Sequence, residues 1–402
     1  MSLNKKSTLA LLALAISAFA IGTTEFISVG LLPLISNDLN ISITTAGLTV
    51  SIYALGVTVG APVLTSITSN MQRKSLLLWI MVIFILGNSI AALATNITVL
   101  LFARIIAAFS HGVFMSIGST IAADLVPKDK RASAISIMFT GLTVATVTGV
   151  PFGTFLGQQY GWRLAFAVIV IIGIVAFIAN SILVPNNLSK GDKVTFSDQV
   201  KLVKNGRLLL IFIITALGYG GTFVIFTYLS PLLHEVTGFK EESVAFILLA
   251  YGIAIAIGNM IGGKLSNLNP LRSLFYMFLV QALILFILLF TIPFKIAGLI
   301  TIIFMGLLAF MNVPGLQVYV VMLAERFVPS AVNVASALNI AAFNAGIAIG
   351  AYLGGVVTKQ MGIIHTTWVG GIMVVLAVIL TGYSLMLEKR SKQNENIIKG
   401  DI

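Results

Sequence analysis

Long apolar runs separated by short polar stretches make up almost the whole of this 402-residue chain. About 20 consecutive apolar residues in a helix cross a bilayer, and runs of that length recur along the chain. The pattern therefore predicts twelve membrane-spanning helices, at residues 8–35, 43–67, 76–95, 98–123, 132–156, 164–184, 208–232, 243–265, 273–293, 297–323, 333–357 and 366–386.

The two halves of the chain resemble each other. YALGVTVG from Tyr53 aligns with YGIAIAIG from Tyr251, and AFSH from Ala108 aligns with AFMN from Ala309, at nearly the same offset. Matches in one order at a near-constant offset are typical of a parallel repeat about an axis along the membrane normal. We therefore predict an all-α membrane protein with two six-helix bundles, at 1–184 and 208–402, the second ending in a short cytoplasmic tail, and a cytoplasmic linker at 185–207.

Composition and charge agree with a polytopic membrane protein. The chain is 58% hydrophobic and only 9% charged, whereas a soluble domain is about a quarter charged. Its net charge of +11 does not indicate nucleic-acid binding, because the basic residues collect in alternate loops. By the positive-inside rule both termini are predicted to be cytoplasmic, in the plasma membrane. We expect the lipid bilayer as a partner, no nucleic acid, and a monomer.

The sequence offers little for an enzyme or a metal site. There is no cysteine and there are three histidines, so disulfides and thiolate metal sites are excluded. Gly258, Gly263 and Lys264 match most of a phosphate-binding loop, but Leu265 stands where Ser or Thr must bind magnesium. HExxH and GxSxG motifs are absent. We predict no enzymatic activity, no metal and no cofactor.

Glu25 is the one acidic residue of thirteen that lies deep in a predicted span. A charged side chain at the bilayer centre costs roughly 2.5 to 3.5 kcal/mol on insertion scales, and such residues usually have a function. A buried carboxylate binds a proton unless a cation or a water-filled cavity keeps it ionised. Glu25 is therefore a candidate proton carrier; the alternative is a neutral acid bonded between helices.

Arg104 and His111 lie seven residues apart in the fourth predicted span, so they project from one helix face. Arg104 and Glu25 are at similar depth and would pair if their helices are neighbours. Arg104 alternatively donates to backbone carbonyls of the first helix near Gly22 or Gly30. His111 is either a hydrogen-bonded packing residue or a proton relay.

The fifth predicted span carries a glycine-rich run around Pro151, with Gly141, Gly149, Gly153 and Gly157. Glycines four residues apart let helix backbones approach closely, and proline removes one internal hydrogen bond. The eleventh span has a similar run, FNAGIAIGAYLGG. Tight packing at matching places in both halves favours two bundles that rock against each other; ordinary small-residue packing is the alternative.

Along nearly its whole length the chain resembles the twelve-span drug:proton antiporters of the major facilitator superfamily, especially arabinose-efflux-like permeases that export sugars, purines or chloramphenicol. The likeness rests on GTTEFISVGLLP in span one, ARIIAAFSHGVF in span four, the glycine-proline run followed by YGWR, and ALGYGGTFVIFTYLSPLL in span seven. It implies the major facilitator fold, proton coupling at Glu25, a place for Arg104 in the proton pathway, and an antiporter motif at Gly149, Pro151 and Gly153.

The loop after span two departs from that family. The family usually has G-x-L-a-D-R-x-G-R-K there, whereas this chain has TSITSNMQRK. Arg73 and Lys74 remain, but Ser69 replaces the aspartate and Asn70 replaces the first arginine. We predict a gating role for Ser69, Arg73 and Lys74, and this departure from the family pattern weakens that prediction.

These patterns predict proton-coupled export of a small molecule by alternating access, with small solutes and protons as partners. Neutral polar and aromatic residues of the spans are the expected lining of the substrate cavity: Thr23, Thr24, His111, Tyr219, Phe223, Phe226, Tyr228, Tyr251, Asn312, Gln317, Asn339, Phe343 and Asn344. Such a lining favours a neutral or weakly cationic drug, nucleoside or sugar. An importer of the same fold, or a non-transporting membrane sensor, is the alternative.

Overall fold

A computed structural model describes residues 5–68, 70–127, 131–186, 188 and 196–400 of the chain. Every regular element in those ranges is helical. The α-helices are α1 (Lys5–Asp38), α2 (Ile43–Thr68), α3 (Arg73–Ala92), α4 (Ile97–Asp124), α5 (Arg131–Tyr160), α6 (Trp162–Leu183), α7 (Phe196–Lys204), α8 (Gly206–Phe226), α9 (Leu229–Glu235), α10 (Glu241–Ser266), α11 (Pro270–Thr291), α12 (Lys295–Ala309), α13 (Val313–Phe327), α14 (Val332–Gln360) and α15 (Thr366–Gly400).

Twelve helical segments of the described residues are long and apolar enough to cross a membrane. They are Lys5–Asp38, Ile43–Leu64, Arg73–Ala92, Ile97–Asp124, Ala134–Tyr160, Trp162–Leu183, Gly206–Glu235, Glu241–Ser266, Pro270–Thr291, Lys295–Phe327, Val334–Gln360 and Ile363–Arg390. Each overlaps one predicted span, so the all-α fold with twelve spans is confirmed. The division into two bundles and a linker stays a prediction; α7 lies inside the predicted linker.

Two spans of the second half are broken rather than continuous. In the seventh span α8 ends at Phe226 and α9 begins at Leu229, and in the tenth α12 ends at Ala309 and α13 begins at Val313. Each break lies about four residues before a proline, Pro231 or Pro314, whose nitrogen has no hydrogen to donate to the preceding turn. Proline alone is not sufficient, because Pro151 lies inside the continuous α5. The sequence predicted both spans as single helices.

In the first half, α5 packs closely along α1. The glycines of α5 make this approach possible, because a side chain at each would meet the first span: Gly149 faces Thr23, Gly153 faces Ile27 and Gly157 faces Leu31. The four-residue step on both helices keeps the contact on one stripe. The glycine run of the fifth span is therefore a helix-packing surface in this structure.

The second half repeats this arrangement with α14 against α8. Gly346 faces the backbone of Ala216, Gly350 faces that of Gly220, and Gly354 faces that of Val224. Both halves thus use small residues to bring the first and fifth of their spans together. Between the halves, α2 lies against α14 and α5 lies against α10, and the central cavity lies among these helices.

Candidate functional site

A central cavity of about 830 Å³ lies between helices of both halves. Its lining at one end includes Thr68, Met71 and Arg73, which lie where α2 ends and α3 begins. The start of α1 lies at the same end, because the Ser7 hydroxyl donates to the Leu125 carbonyl just after α4. From that end the cavity extends inward to Glu25 and Phe26 in the interior of α1.

Seven aromatic rings close the inner end of the cavity. Four of them line it, namely Phe26, Tyr219, Phe310 and Phe343, and behind these lie Phe223, Phe226 and Tyr251. We call these seven residues the aromatic cluster. The Phe26 ring centroid lies 5.9 Å from that of Phe223 and 6.2 Å from that of Phe310, so the cluster joins the first, seventh and tenth spans. Ring pairs at such distances add stability beyond simple burial.

Glu25 lies beside the aromatic cluster at the inner end of the cavity. It is 8% exposed and is the one acidic residue among the described residues that line the cavity. A single carboxylate therefore faces a space whose surface is mostly apolar and aromatic.

The Arg104 guanidinium donates its hydrogen bonds to backbone carbonyls rather than to the Glu25 carboxylate. Its Nη1 donates to the Thr24 carbonyl at 2.6 Å, its Nη2 to the Glu25 carbonyl at 3.1 Å, and its Nε to the Thr49 carbonyl at 3.1 Å. Of the two arrangements that the sequence left open, the backbone one is present. The guanidinium thus ties α4 to α1 and α2 immediately beside Glu25, and places a positive charge there.

Tyr53 links Arg104 to His111. The Arg104 guanidinium lies over the Tyr53 ring, 4.0 Å from its centroid, and the Tyr53 hydroxyl lies 3.2 Å from His111 Nδ1. Tyr53 is 1% exposed and is not part of the cavity lining, whereas His111 is 3% exposed and is. The sequence analysis used Tyr53 only to align the repeat and missed this role. The sequence feature that could have indicated this role is the aromatic residue, Tyr53 or Tyr251, at the same position of both halves.

Six of the predicted site residues line the cavity: Glu25, Arg73, His111, Tyr219, Gln317 and Phe343. The sequence analysis missed Phe26 and Phe310, which had no polar atom to draw attention to them. Phe223, Phe226 and Tyr251 lie behind the lining in the aromatic cluster, so they support the surface that a solute would touch.

Five other predicted cavity residues lie outside the cavity lining, and each makes a hydrogen bond to protein, although Asn312 Oδ1, Asn339 Nδ2 and Asn344 Oδ1 are buried without a partner among the described residues. The Thr24 hydroxyl donates to Asn88, the Asn312 amide to Gln281, and the Asn344 amide to the Ile340 carbonyl. The Asn339 oxygen accepts from the Thr215 hydroxyl, and the Tyr228 hydroxyl donates to the Ala351 carbonyl.

Thr23 lines a separate apolar cavity of about 270 Å³. That cavity lies between α1, α5 and α6, and Gly149 and Gly153 line it as well. The sequence had placed Thr23 in the substrate cavity, one residue from Thr24. Consecutive helix residues point about 100° apart, and Thr23 points toward α5.

Two of the three predicted gating residues, Arg73 and Lys74, lie in the first turn of α3. Arg73 forms an ion pair with Asp124 at the end of α4, and the Lys74 ammonium donates to the Ser181 carbonyl of α6 at 2.8 Å. Ser69 lies outside the described residues. Arg73 also lines the cavity, so this ion pair lies at the end of the cavity that Thr68 and Met71 line.

No group of three or more His, Asp or Glu side chains with the geometry for a metal ion occurs in the described part of the chain. The charged residues that line the cavity there are Glu25 and Arg73, and Arg73 is paired with Asp124. Among the described residues, the cavity lining thus holds a single acid, Glu25.

Comparison with known proteins identifies the family. Residues 14–326 match the model of the Major Facilitator Superfamily. The chain is 76% identical over 392 residues to the MFS-type transporter YtbD of Bacillus subtilis (strain 168), covering 98% of this chain and 99% of the relative. It is 29% identical over 378 residues to the probable sugar efflux transporter of Helicobacter pylori (strain G27), covering 94% and 95%.

The fold also matches a solved structure. A crystal structure of a bacterial homologue of the human lysosomal transporter Spinster, in an inward-facing and unoccupied conformation, superposes with a TM-score of 0.75 over 95% of this chain and 98% of that chain. The sequence identity of 17% makes this a likeness of fold alone. With the family match and the YtbD relative, the prediction of a membrane transporter rather than an enzyme is confirmed, and the chain belongs to the Major Facilitator Superfamily.

Proposed function

We propose that this transporter exports a small neutral or weakly cationic molecule in exchange for protons, across the plasma membrane and with both termini in the cytoplasm. The observation that carries the proposal is the single carboxylate, Glu25, at the inner end of a cavity that reaches one end of the bundle. The name of the Helicobacter pylori relative, which describes sugar efflux, supports the direction of transport.

The proposed mechanism couples the two cargoes at Glu25. A proton arriving from outside neutralises the carboxylate, and the solute occupies the cavity when the carboxylate is charged. Arg104 holds its positive charge beside that carboxylate, because its guanidinium donates to the neighbouring Thr24 and Glu25 carbonyls. The driving free energy per proton is about 2.3 kcal/mol per 100 mV of membrane potential plus about 1.4 kcal/mol per pH unit.

The two halves would rock about the cavity to expose it to each side in turn. The ring contacts between Phe26 and the seventh and tenth spans close one side in this structure. The cavity reaches the other side, which the positive-inside rule assigns to the cytoplasm. The conformation is therefore the one that would load a solute from the cytoplasm.

The test replaces Glu25 by glutamine, which keeps the size and hydrogen-bonding capacity of the side chain and removes its charge. Everted vesicles with an acid interior are given labelled uridine, chloramphenicol or glucose. Wild-type vesicles are expected to accumulate a solute of this panel when the gradient is imposed, and Glu25→Gln vesicles are expected to lose that accumulation.

The matched control is Glu242→Gln, which alters an exposed glutamate at the start of α10 and should accumulate solute as the wild type does. Gradient-driven accumulation that survives in Glu25→Gln would overturn the proposal. Accumulation in the wild type without any pH gradient or membrane potential would overturn it as well.

A further inference from the structure

We infer that His111 presents its Nε2–H group to the central cavity as a hydrogen-bond donor for the transported solute, and that Tyr53 is the positioning residue that fixes this tautomer. The inference rests on the proposed function, since it concerns the solute of the same cavity. The sequence left His111 open between a packing residue and a proton relay and placed it in the expected cavity lining, whereas this inference makes it a residue that recognises the solute.

The first step concerns the Tyr53 hydroxyl. Its nearest polar partner is His111 Nδ1, at 3.2 Å. One of these two groups donates, and the geometry alone leaves both directions open. The Arg104 guanidinium 4.0 Å above the Tyr53 ring decides between them. A cation on the ring face withdraws electron density from the phenol, which makes its O–H a stronger donor and a weaker acceptor.

The second step concerns the imidazole ring. A neutral histidine carries one N–H and one lone pair, and the hydrogen bond made by one nitrogen sets the state of the other. Because Nδ1 accepts from Tyr53, the hydrogen lies on Nε2. The ring edge with Nδ1 is turned toward the buried Tyr53, so the opposite edge, with Nε2, is the one left for the cavity that His111 lines.

The third step concerns the solute. The rings of Phe26, Tyr219 and Phe310 offer flat apolar surface in the same cavity that His111 lines. A donor in a cavity with that surface selects a neutral molecule that combines an apolar or aromatic face with a carbonyl or ring-nitrogen acceptor. A site that donates a hydrogen bond strongly rejects an analogue that lacks the acceptor. This discrimination is stronger than that of an apolar pocket between solutes of slightly different size.

The tautomer is measured by nitrogen NMR on the full-length protein with ¹⁵N-labelled histidine. The chain has three histidines, and a His111→Gln sample identifies the His111 signals. We expect an N–H signal at Nε2 and a lone-pair signal at Nδ1 in the wild type, and a loss of this preference in Tyr53→Phe. A wild-type N–H at Nδ1, or an unchanged preference in Tyr53→Phe, overturns the inference.

The solute contact is measured by counterflow in proteoliposomes, with uridine, chloramphenicol and glucose as probes. His111→Leu removes the donor at similar size, and the half-saturating concentration of the best probe should rise about tenfold. His111→Gln keeps a side-chain N–H and should lose less. Tyr53→Phe alone should raise the half-saturating concentration of the best probe. When Tyr53→Phe is added to His111→Leu, that concentration should not rise further.

Equal half-saturating concentrations in the wild type and His111→Leu contradict the inference, as does failure of wild-type protein to exchange any acceptor-bearing probe. Counterflow and NMR need no proton gradient. A wild type that shows the expected tautomer and exchange but no gradient-driven accumulation would overturn only the proposed proton coupling. If His111→Leu does not fold, the Tyr53→Phe spectrum still tests whether Tyr53 fixes the His111 tautomer.

Discussion

Two matching regions, the centres of the first and seventh spans, show what the internal repeat keeps and what it changes. The offset of 198 that superposes Tyr53 on Tyr251 places Thr24 on Thr222, and each threonine bonds to an amide side chain, of Asn88 or Gln281, in the third span of its half. One residue later the halves differ, because Glu25 corresponds to Phe223.

The fourth and tenth spans differ in the same way. The offset of 201 that superposes Ala108 on Ala309 places Met305 at the position of Arg104, and both side chains are buried. The first half therefore holds an acid and a base where the second half holds an aromatic ring and a thioether. The broken helices, by contrast, are in the second half.

The difference follows from the cost of charge in a membrane. Packing through glycines and single hydrogen bonds costs little, so the fold repeats them in both halves. A buried guanidinium needs several carbonyls arranged around it, and in this structure two helices, α1 and α2, supply three of them. In the proposed mechanism one such site is enough for coupling, and the second half would supply aromatic surface for the solute instead.

The largest expected effect tests this asymmetry directly. Arg104→Met copies the residue of the second half and removes the three hydrogen bonds that the guanidinium donates to the Thr24, Glu25 and Thr49 carbonyls. We expect the free energy of unfolding in detergent to fall by about 3 kcal/mol, because a hydrogen bond from a charged group contributes about 1.5 to 3 kcal/mol and the helices partly relax around the methionine. Gradient-driven accumulation should be lost. Thermal unfolding and the vesicle assay measure the two effects.

The matched control for that prediction is Met305→Leu, which should change the unfolding free energy by less than about 1.5 kcal/mol. Arg163→Met is a second control, because Arg163 makes a partly exposed ion pair with Asp38 and such pairs contribute about 0 to 1 kcal/mol. Equal losses for Arg104→Met and Met305→Leu would show that the two halves do not differ as described.

The second prediction tests what the halves share. A methyl group at Gly141 would meet the backbone of Ala15, and one at Gly346 would meet that of Ala216. Gly141→Ala and Gly346→Ala are each expected to lose about 2 kcal/mol of unfolding free energy by overpacking. Gly263→Ala is the control, since nothing lies within 4 Å of a methyl group there. A loss in one half alone would contradict equivalent packing.

The smallest effect concerns the two amide side chains. Asn88→Leu and Gln281→Leu each remove a buried hydrogen bond to the equivalent threonine, at 2.5 Å in both halves. Interhelical bonds of this kind average about 0.6 kcal/mol in membrane proteins. Both variants should therefore lose about the same small amount in thermal unfolding. A loss several times larger for Gln281→Leu would indicate that its further bond with Asn312 matters more.

The pattern of residues along the chain was sufficient to predict some of these structural features but not others. The twelve spans follow from runs of apolar residues, because a bilayer requires a fixed helix length. The breaks near Tyr228 and Asn312 did not follow, because a proline elsewhere lies in a continuous helix. Of the predicted cavity residues, Tyr219, Gln317 and Phe343 line the cavity, while Asn339 and Asn344 bond within their own half.

The sequence by itself determined the membrane class, the number of spans, the repeat and the isolation of Glu25, since these depend on composition and on spacing along one helix. Only the tertiary structure decided that Arg104 binds carbonyls, that Tyr53 lies between Arg104 and His111, and that seven rings close the cavity. Those facts depend on how helices far apart in the chain are rotated toward one another. Hydropathy does not specify that rotation, because most faces of a membrane helix are apolar.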